Sequence, residues 1–325
     1  MEFGHVRLTH GLLLGPMAGF TDRAMRQICR ECGAEMTVSE MVSAKAIVYR
    51  DRKTASLAYV DPEDSPCAIQ IFGSDPATMA EAAERLCAGL VTGRSPDMID
   101  INMGCPMRKI TSNGEGGALL ADPKKIEQIV SAVARAVPVP VSVKLRTGLS
   151  AASVNITETA RAAEAGGAAF LAVHGRTVAQ QYSGTADRSA IAAAKSAVSV
   201  PVVGNGDVTD AASALAMRQE TGCDGIMVAR GAVGNPFVFG AIRDALEGRE
   251  PRLPSVEERI ALALRHLSLA LTYKGERAIP ELRGQLGGYL AGLRGAAALR
   301  RRLHVCLTEA EVREVLLQAA ECMPE

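Results

Sequence analysis

"CAIQIFGSDPATMAEAAERLCAGLVTGRSPDMIDINM", Cys67 to Met103, carries two short apolar runs, Cys67–Phe72 and Met98–Met103, with the helical stretch "DPATMAEAAERLCAGL" between them. A strand, a crossover helix and a second strand form the βα unit of a parallel sheet. Outward from this unit the same rhythm recurs at Leu12–Ala18, Met36–Met41, Val139–Leu145, Ala169–His174, Val200–Gly204 and Gly225–Ala229, each bounded by Gly, Pro or a polar turn. The spacing is roughly 25 to 35 residues, that of βα units. Several runs are apolar on both faces, which suits parallel strands covered on both sides. Eight strands each followed by a helix favour a closed (β/α)8 barrel over an open doubly wound sheet, although periodicity alone does not fix closure.

From about Pro254 the rhythm changes. "SVEERIALALRHLSLALTYKG", "ERAIPELRGQLGGYLAGLRG", "AAALRRRLHVCL" and "TEAEVREVLLQAAECM" are helical patterns with no β-rich run between them, and Thr308 with Glu311 forms a capping box for the last. The expected architecture is α/β: a TIM barrel over residues 1–248, followed by a small all-helical C-terminal domain over 249–325.

The 325 residues balance 36 Lys and Arg against 36 Asp and Glu, so net charge does not advertise nucleic acid. Aromatic residues make up only 3% of the chain with no Trp, so the core must come from aliphatic side chains. No apolar run is long enough to span a membrane and no signal peptide is evident, so a cytoplasmic location is expected. The 8 cysteines are scattered, and only Cys29 and Cys32 form a C-x-x-C, inside a predicted helix. No second pair lies at zinc spacing, so no metal site is expected.

A barrel places its active site at the C-terminal ends of its strands. Polar residues gather there: Glu40, Gln70, Asn102, Cys105, Lys144 and Arg146, then His174 and Arg176 of "HGRT", "GNGD" at 204–207 and "ARG" at 229–231. The glycine-rich late loops suit a phosphate held by backbone N–H groups, with Arg230 adding a charge-assisted contact. A strand-borne Lys144 needs an anion: either a ligand or a carboxylate such as Glu40. Gln70 and Asn102 either grip the edge of a flat ring or satisfy one another. Cys105 sits in a Gly-Cys-Pro turn, which must leave the strand because Pro106 fixes its φ and lacks an N–H.

Taken together, "LLLGPMAGFTDRAMR", "SEMVSAKA", "AIQIFGSDP", "DINMGCP", "VKLRTG", "VHGRT", "VVGNGDVTD" and "MVARGAVGNP" resemble the motifs of the tRNA-dihydrouridine synthases, in family order and spacing, closest to the bacterial B-type branch. The resemblance covers about Leu12 to Gly248 and implies an enzyme that uses flavin mononucleotide (FMN) and NADPH to reduce a uridine of tRNA. It implies that Pro16, Met17, Ala18, Gln70, Lys144, His174, Asn205, Gly206, Asp207, Ala229 and Arg230 hold the flavin. Asn102, Arg146 and Arg176 would face the substrate or the flavin, and Cys105 would donate the proton. A thiol of ordinary pKa about 8.5 is protonated at neutral pH and suits that role.

Between Arg259 and His304 lie nine basic residues, Arg283, Arg300 and Arg301 among them, against only Glu276 and Glu281. This asymmetry makes the tail the expected tRNA surface of a protein acting as a monomer. Where this chain has "ELRGQLGGYL", B-type members commonly carry a more basic segment with a histidine, so Gly284 and Gln285 bear on which uridine is selected. Two rival readings share part of the pattern. A flavin barrel acting on a free pyrimidine, like dihydroorotate dehydrogenase, would not need the basic tail; a non-catalytic RNA-binding paralogue would need neither flavin nor Cys105.

Overall fold

The computed structural model of the chain describes residues 1–322. Eight parallel strands form the barrel: β1 (Leu12–Leu14), β2 (Met36–Val38), β3 (Cys67–Phe72), β4 (Met98–Met103), β5 (Val141–Arg146), β6 (Phe170–His174), β7 (Val202–Asn205) and β8 (Gly225–Val228). Each pairs with the next in sequence, and β8 pairs with β1 through Ile226↔Leu12 and Val228↔Leu14. That last pairing closes the sheet, the point periodicity left open. A two-residue extension, Val42–Ser43, adds to the edge of β3.

A helix follows every strand: α1 (Arg23–Glu31), α2 (Ala44–Val48), α3 (Pro76–Cys87), α4 (Pro123–Ala136), α5 (Ile156–Ala165), α6 (Arg188–Ala197), α7 (Ala211–Thr221) and α8 (Val238–Leu246). Asp75, Asp122, Asp187 and Asp210 cap α3, α4, α6 and α7 by accepting backbone N–H groups of the first turn. Outward strand residues such as Ile69, Ile71, Ile99, Ile101 and Val143 pack on buried helix residues such as Met79, Leu86, Ile126 and Ile129.

Inward residues alternate with these at period two. Leu13, Met36, Ala68, Met98, Phe170, Ala172, Val203 and Met227 form a separate apolar cluster inside the barrel. An N-terminal hairpin (Glu2–Phe3 with Val6–Arg7) closes the bottom, its Phe3 ring meeting Phe170 edge-on at 4.9 Å. With the lower end plugged, the open end is the C-terminal one, where the inward positions turn polar.

Four further helices follow: α9 (Val256–Lys274), α10 (Ala278–Tyr289), α11 (Ala296–Val305) and α12 (Glu309–Ala320). Thr308 and Glu311 make the expected capping box on α12. Residues 323–325 of the expected tail domain lie outside the described residues. The core of these helices includes Ala24 and Ile28 of α1, so it is built on the barrel wall. At the same seam Arg23 stacks between Tyr59 and Tyr273 at 4.4 and 3.8 Å, while Lys274 pairs with Asp22 at 2.7 Å. Among the described residues, no helix is long and apolar enough to cross a membrane.

A second seam joins the loop after β8 to α10. Gly234 has φ +69, and a Cβ there would lie 2.4 Å from the backbone of Gly288. Gly234→Ala is therefore expected to lower the unfolding free energy by more than about 1 kcal/mol and to speed proteolysis in the 249–254 linker. Gly248→Ala, with φ +73 but open space around it, isolates backbone strain. Equal effects of the two substitutions would refute the close-packing account.

Candidate active site

The barrel's open end encloses a cavity of about 740 Å³, within the range of small-molecule and cofactor sites. Its walls are apolar on one side, with Pro16, Met17, Ala18, Met41 and Met227. The polar side carries Gln70, Asn102, Lys144, Arg146, His174, Asn205 and Arg230, and Cys105 stands at the edge of the loop after β4. Asp207 is the one carboxylate among the described lining residues. The strand register explains the gathering. Asn102 faces Lys144 across β4 and β5, Arg146 faces His174 across β5 and β6, and His174 faces Asn205 across β6 and β7.

Lys144 is half-buried in the cavity wall, and its Nζ donates to Asn205 Oδ1 at 2.9 Å. Burial, reinforced by Arg146, pulls its ammonium down from 10.5 to about 7, while the more distant Asp100 opposes the shift. Glu40 is not its partner. It accepts the Gly19 N–H at 2.5 Å instead, pinning the loop after β1. Lys144 therefore has no carboxylate in contact, and the alternative of a Lys144–Glu40 pair is overturned.

Gln70 and Asn102 line the cavity and also bond one another, Asn102 Nδ2 to Gln70 Oε1 at 2.8 Å. Gln70 Nε2 donates to Asp100 at 2.6 Å, and Asn102 Oδ1 accepts the Cys105 N–H at 2.9 Å. Burial raises Asp100 to about 6, against the hydrogen bonds from Ser142 and Gln70. Burial also pushes the Cys105 thiol up, outweighing the Met107 N–H and the charge of Arg146. His174 is driven far below its ordinary value by burial and the cations around it, so its imidazole is neutral.

Arg146 lines the cavity, its Nη1 donating to the carbonyls of Thr177 at 2.8 Å and Gln181 at 2.7 Å. Arg176 departs from expectation. It is only 2% exposed and stands behind the wall, committed to the Ser183 and Gly184 carbonyls and to Asp207 at 2.8 Å. Arg176 thus orients Asp207 from behind, whereas Arg230 reaches the same carboxylate at 3.4 Å from the solvent side.

Sequence reasoning passed over Asp100, Met41, Phe20 and Tyr182. Asp100 shares the inward face with Asn102 two residues on, so strand alternation was the available signal. Tyr182 lies on the loop after β6 near Arg146 and Arg230, at 5.5 and 4.9 Å from their guanidinium carbons. It has no periodic pattern to mark it.

The basic tail is less free than its composition suggests. Arg283 is half-buried with its guanidinium on the Cys306 carbonyl at the end of α11. Arg259 bonds the carbonyls of Tyr289 and Ala291, Arg265 pairs with Glu31, Lys274 with Asp22 and Glu281, and Arg302 with Glu314. Arg277, Arg294, Arg300 and Arg301 are exposed. Arg283 is therefore a helix-end clamp, in contrast to Arg300 and Arg301.

Three cations against one carboxylate, beside a wall of flat apolar contacts, form a donor set that fits an anionic planar heterocycle such as FMN. Among the described residues, no group of three or more His, Cys, Asp and Glu is placed to hold a metal ion.

The family model described as dihydrouridine synthase (Dus) matches residues 13–323. The "tRNA-dihydrouridine synthase B" of Pseudomonas aeruginosa is 41% identical over 307 residues, 94% of this chain and 91% of its own. A "probable tRNA-dihydrouridine synthase 1" of Synechocystis sp. is 38% identical over 321 residues, 98% of this chain and 89% of the relative. Among solved structures, an old yellow enzyme homologue from Zymomonas mobilis aligns with TM-score 0.50 at 13% identity, over 77% of this chain and 92% of that one. The 6-hydroxypseudooxynicotine amine oxidase of Pseudomonas geniculata N1 aligns with TM-score 0.58 at 14% identity, over 76% of this chain and 49% of that longer one. At such identities the structural likeness speaks for the barrel fold alone.

The burial of Lys144 yields a stability test. Its folded pKa of about 7 lies below the unfolded value near 10.5, so the unfolded state binds the extra proton. The resulting destabilisation grows as pH falls from about 10.5 to 7 and levels off below that. Lys144→Met is expected to raise the urea midpoint of the ligand-free protein at pH 7, with a gain that fades towards pH 10.5. A gain independent of pH would contradict a partly desolvated ammonium with no carboxylate in contact.

Proposed function

The chain belongs to the dihydrouridine synthase family, and on that premise we propose that it reduces the 5,6 double bond of a uridine in tRNA, with FMN in the barrel cavity and NADPH as the reductant. The observation that carries this reading is Lys144, a half-buried cation without a carboxylate in contact, in a cavity whose lining sets three cations against one carboxylate. A flavin ring and phosphate supply the negative charge such a site lacks.

Pro16, Met17, Ala18 and Met227 offer the flat contacts for the ring. Gln70, Lys144 and Asn205 face its polar edge, with neutral His174 beside them. The backbone at Gly206, Asp207, Ala229 and Arg230, with the Arg230 guanidinium, receives the phosphate. FMN bound there would supply the hydride for one ring carbon of the uracil. The neighbouring carbon needs a proton, and Cys105 holds one: burial keeps its thiol protonated, and the cation acting on it is Arg146 rather than Lys144. Asn102 and Arg146 line the space left for the uracil.

The target base must leave its stack to enter so enclosed a site. Residues 249–325 serve as the RNA-holding unit, the protein acting as a monomer. The exposed Arg277, Arg294, Arg300 and Arg301 supply the phosphate contacts. If all four engage, log affinity falls against log salt with a slope of roughly −3 to −4, and each Arg→Ala substitution flattens it by about 0.7–0.9. Arg283→Ala is expected to lower stability and leave the slope unchanged. A slope near zero in the parent protein would take the tail out of RNA binding.

The enzyme reading is tested by anaerobic visible spectroscopy. Flavin bands should bleach with NADPH and recover on adding unmodified tRNA. Recovery with a free pyrimidine but not tRNA would favour the dihydroorotate-type rival, and a colourless protein that takes up no flavin would overturn both. Cys105→Ala should slow single-turnover reduction about 10²–10⁴-fold while retaining flavin. An unchanged rate would remove Cys105 as the acid.

A further inference from the structure

Asp100 is a buried carboxylate for which the proposed reaction has no direct use. It is 2% exposed, beneath the cavity, opposite Gln70 on β3 and Ser142 on β5. Its oxygens accept Ser142 Oγ and Gln70 Nε2, each at 2.6 Å. Gln70 Oε1 accepts Asn102 Nδ2 at 2.8 Å, and Asn102 Oδ1 accepts the backbone N–H groups of Cys105 at 2.9 Å and Gly104 at 3.2 Å. The chain of contacts thus runs from the barrel interior to the turn that carries the thiol.

Each side-chain amide has a donor end and an acceptor end, and either sense fits the same volume. The ends of this chain are different. An ionised carboxylate only accepts, and a backbone N–H only donates. With those two ends fixed, one orientation of Gln70 and one of Asn102 satisfy every link, and reversing either sets like against like. A buried mismatch of that kind costs about 1–3 kcal/mol.

We infer that Asp100 is a positioning residue for Cys105: its acceptor polarity, transmitted through Gln70 and Asn102, locks the Asn102 carbonyl onto the Gly104 and Cys105 N–H groups and so holds the Gly104–Pro106 turn with its thiol at the cavity edge. The functional meaning of this lock rests on Cys105 as proton donor; the lock itself is a matter of hydrogen-bond polarity.

The test is the rate at which iodoacetamide alkylates Cys105 in the full-length protein, resolved from the other cysteines by peptide mass spectrometry. Single-turnover reduction of tRNA is measured in parallel. Asp100→Asn replaces the obligate acceptor by a group that can also donate, leaving the Gly104 and Cys105 N–H groups as the one fixed end, and is expected to change the alkylation rate about five-fold and to slow reduction about ten-fold or more. Asp100→Asn with Gln70→Glu moves the carboxylate one link along. Asn102 again meets an obligate acceptor, and alkylation should return to within about two-fold of the parent. Ser142→Ala removes a bond to Asp100 without touching the polarity, so it should cost stability and leave Cys105 alkylation unchanged.

Parental alkylation in Asp100→Asn, no recovery in a folded double variant, or an equal change in Ser142→Ala would each overturn the inference. If Asp100→Asn does not fold, the double variant and Ser142→Ala still decide it. A parent protein that reduces no tRNA would refute the proposed function and leave the alkylation comparison readable.

Discussion

A lysine ammonium placed inside a barrel without a carboxylate in contact is unfavourable, and the open end of this fold is organised around that condition. Lys144 reaches the cavity because β5 turns it inward one layer above the apolar interior, where its near neighbour is Oδ1 of the Asn205 side chain. Arg146, two residues on along the same face, makes the charge harder to keep. An anion that binds only the folded protein relieves this strain and stabilises the fold by the same interaction. Instability of the empty site and affinity for an electron-rich ring are one property seen from two sides.

The rest of the architecture protects that arrangement. The N-terminal hairpin seals the lower end of the barrel, and α1 forms part of the tail's core rather than merely touching it. The close approach of Gly234 to Gly288 ties the loop after β8, where the proposed phosphate site lies, to α10. In the proposed reaction the cofactor loops and the RNA-holding helices are therefore packed as neighbours.

The strand runs were legible because parallel strands buried on both faces leave short, continuous apolar stretches between turn signals, and the Gly-Cys-Pro turn was legible because proline chemistry permits little else there. Barrel closure was not, since it depends on β8 meeting β1 across more than two hundred residues of sequence. The hairpin strands are two residues each, too short to show alternation. Alternation does predict that Arg176, two residues beyond His174, keeps to its side of the chain, but the strand ends at His174 and the loop turns the guanidinium behind the wall. Charge counting overstated the free cations of the tail for a related reason. Composition records how many arginines there are, whereas helix-end carbonyls and cross-seam acids decide how many remain for a partner.

One environment explains the protonation pattern of the site. Burial disfavours whichever form of a group is charged. Here it lowers Lys144 and His174 while raising Cys105 and Asp100. The thiol consequently keeps its proton, the reverse of the condition that makes a nucleophilic cysteine, and the imidazole gives its proton up. In the proposed reaction neutral His174 offers no imidazolium acid beside Cys105. Lys144, balanced near neutrality, becomes fully charged when an anion arrives to favour it. In the proposed reaction a single low-dielectric pocket thus supplies both a protonated thiol and a charge-stabilising cation before substrate binds.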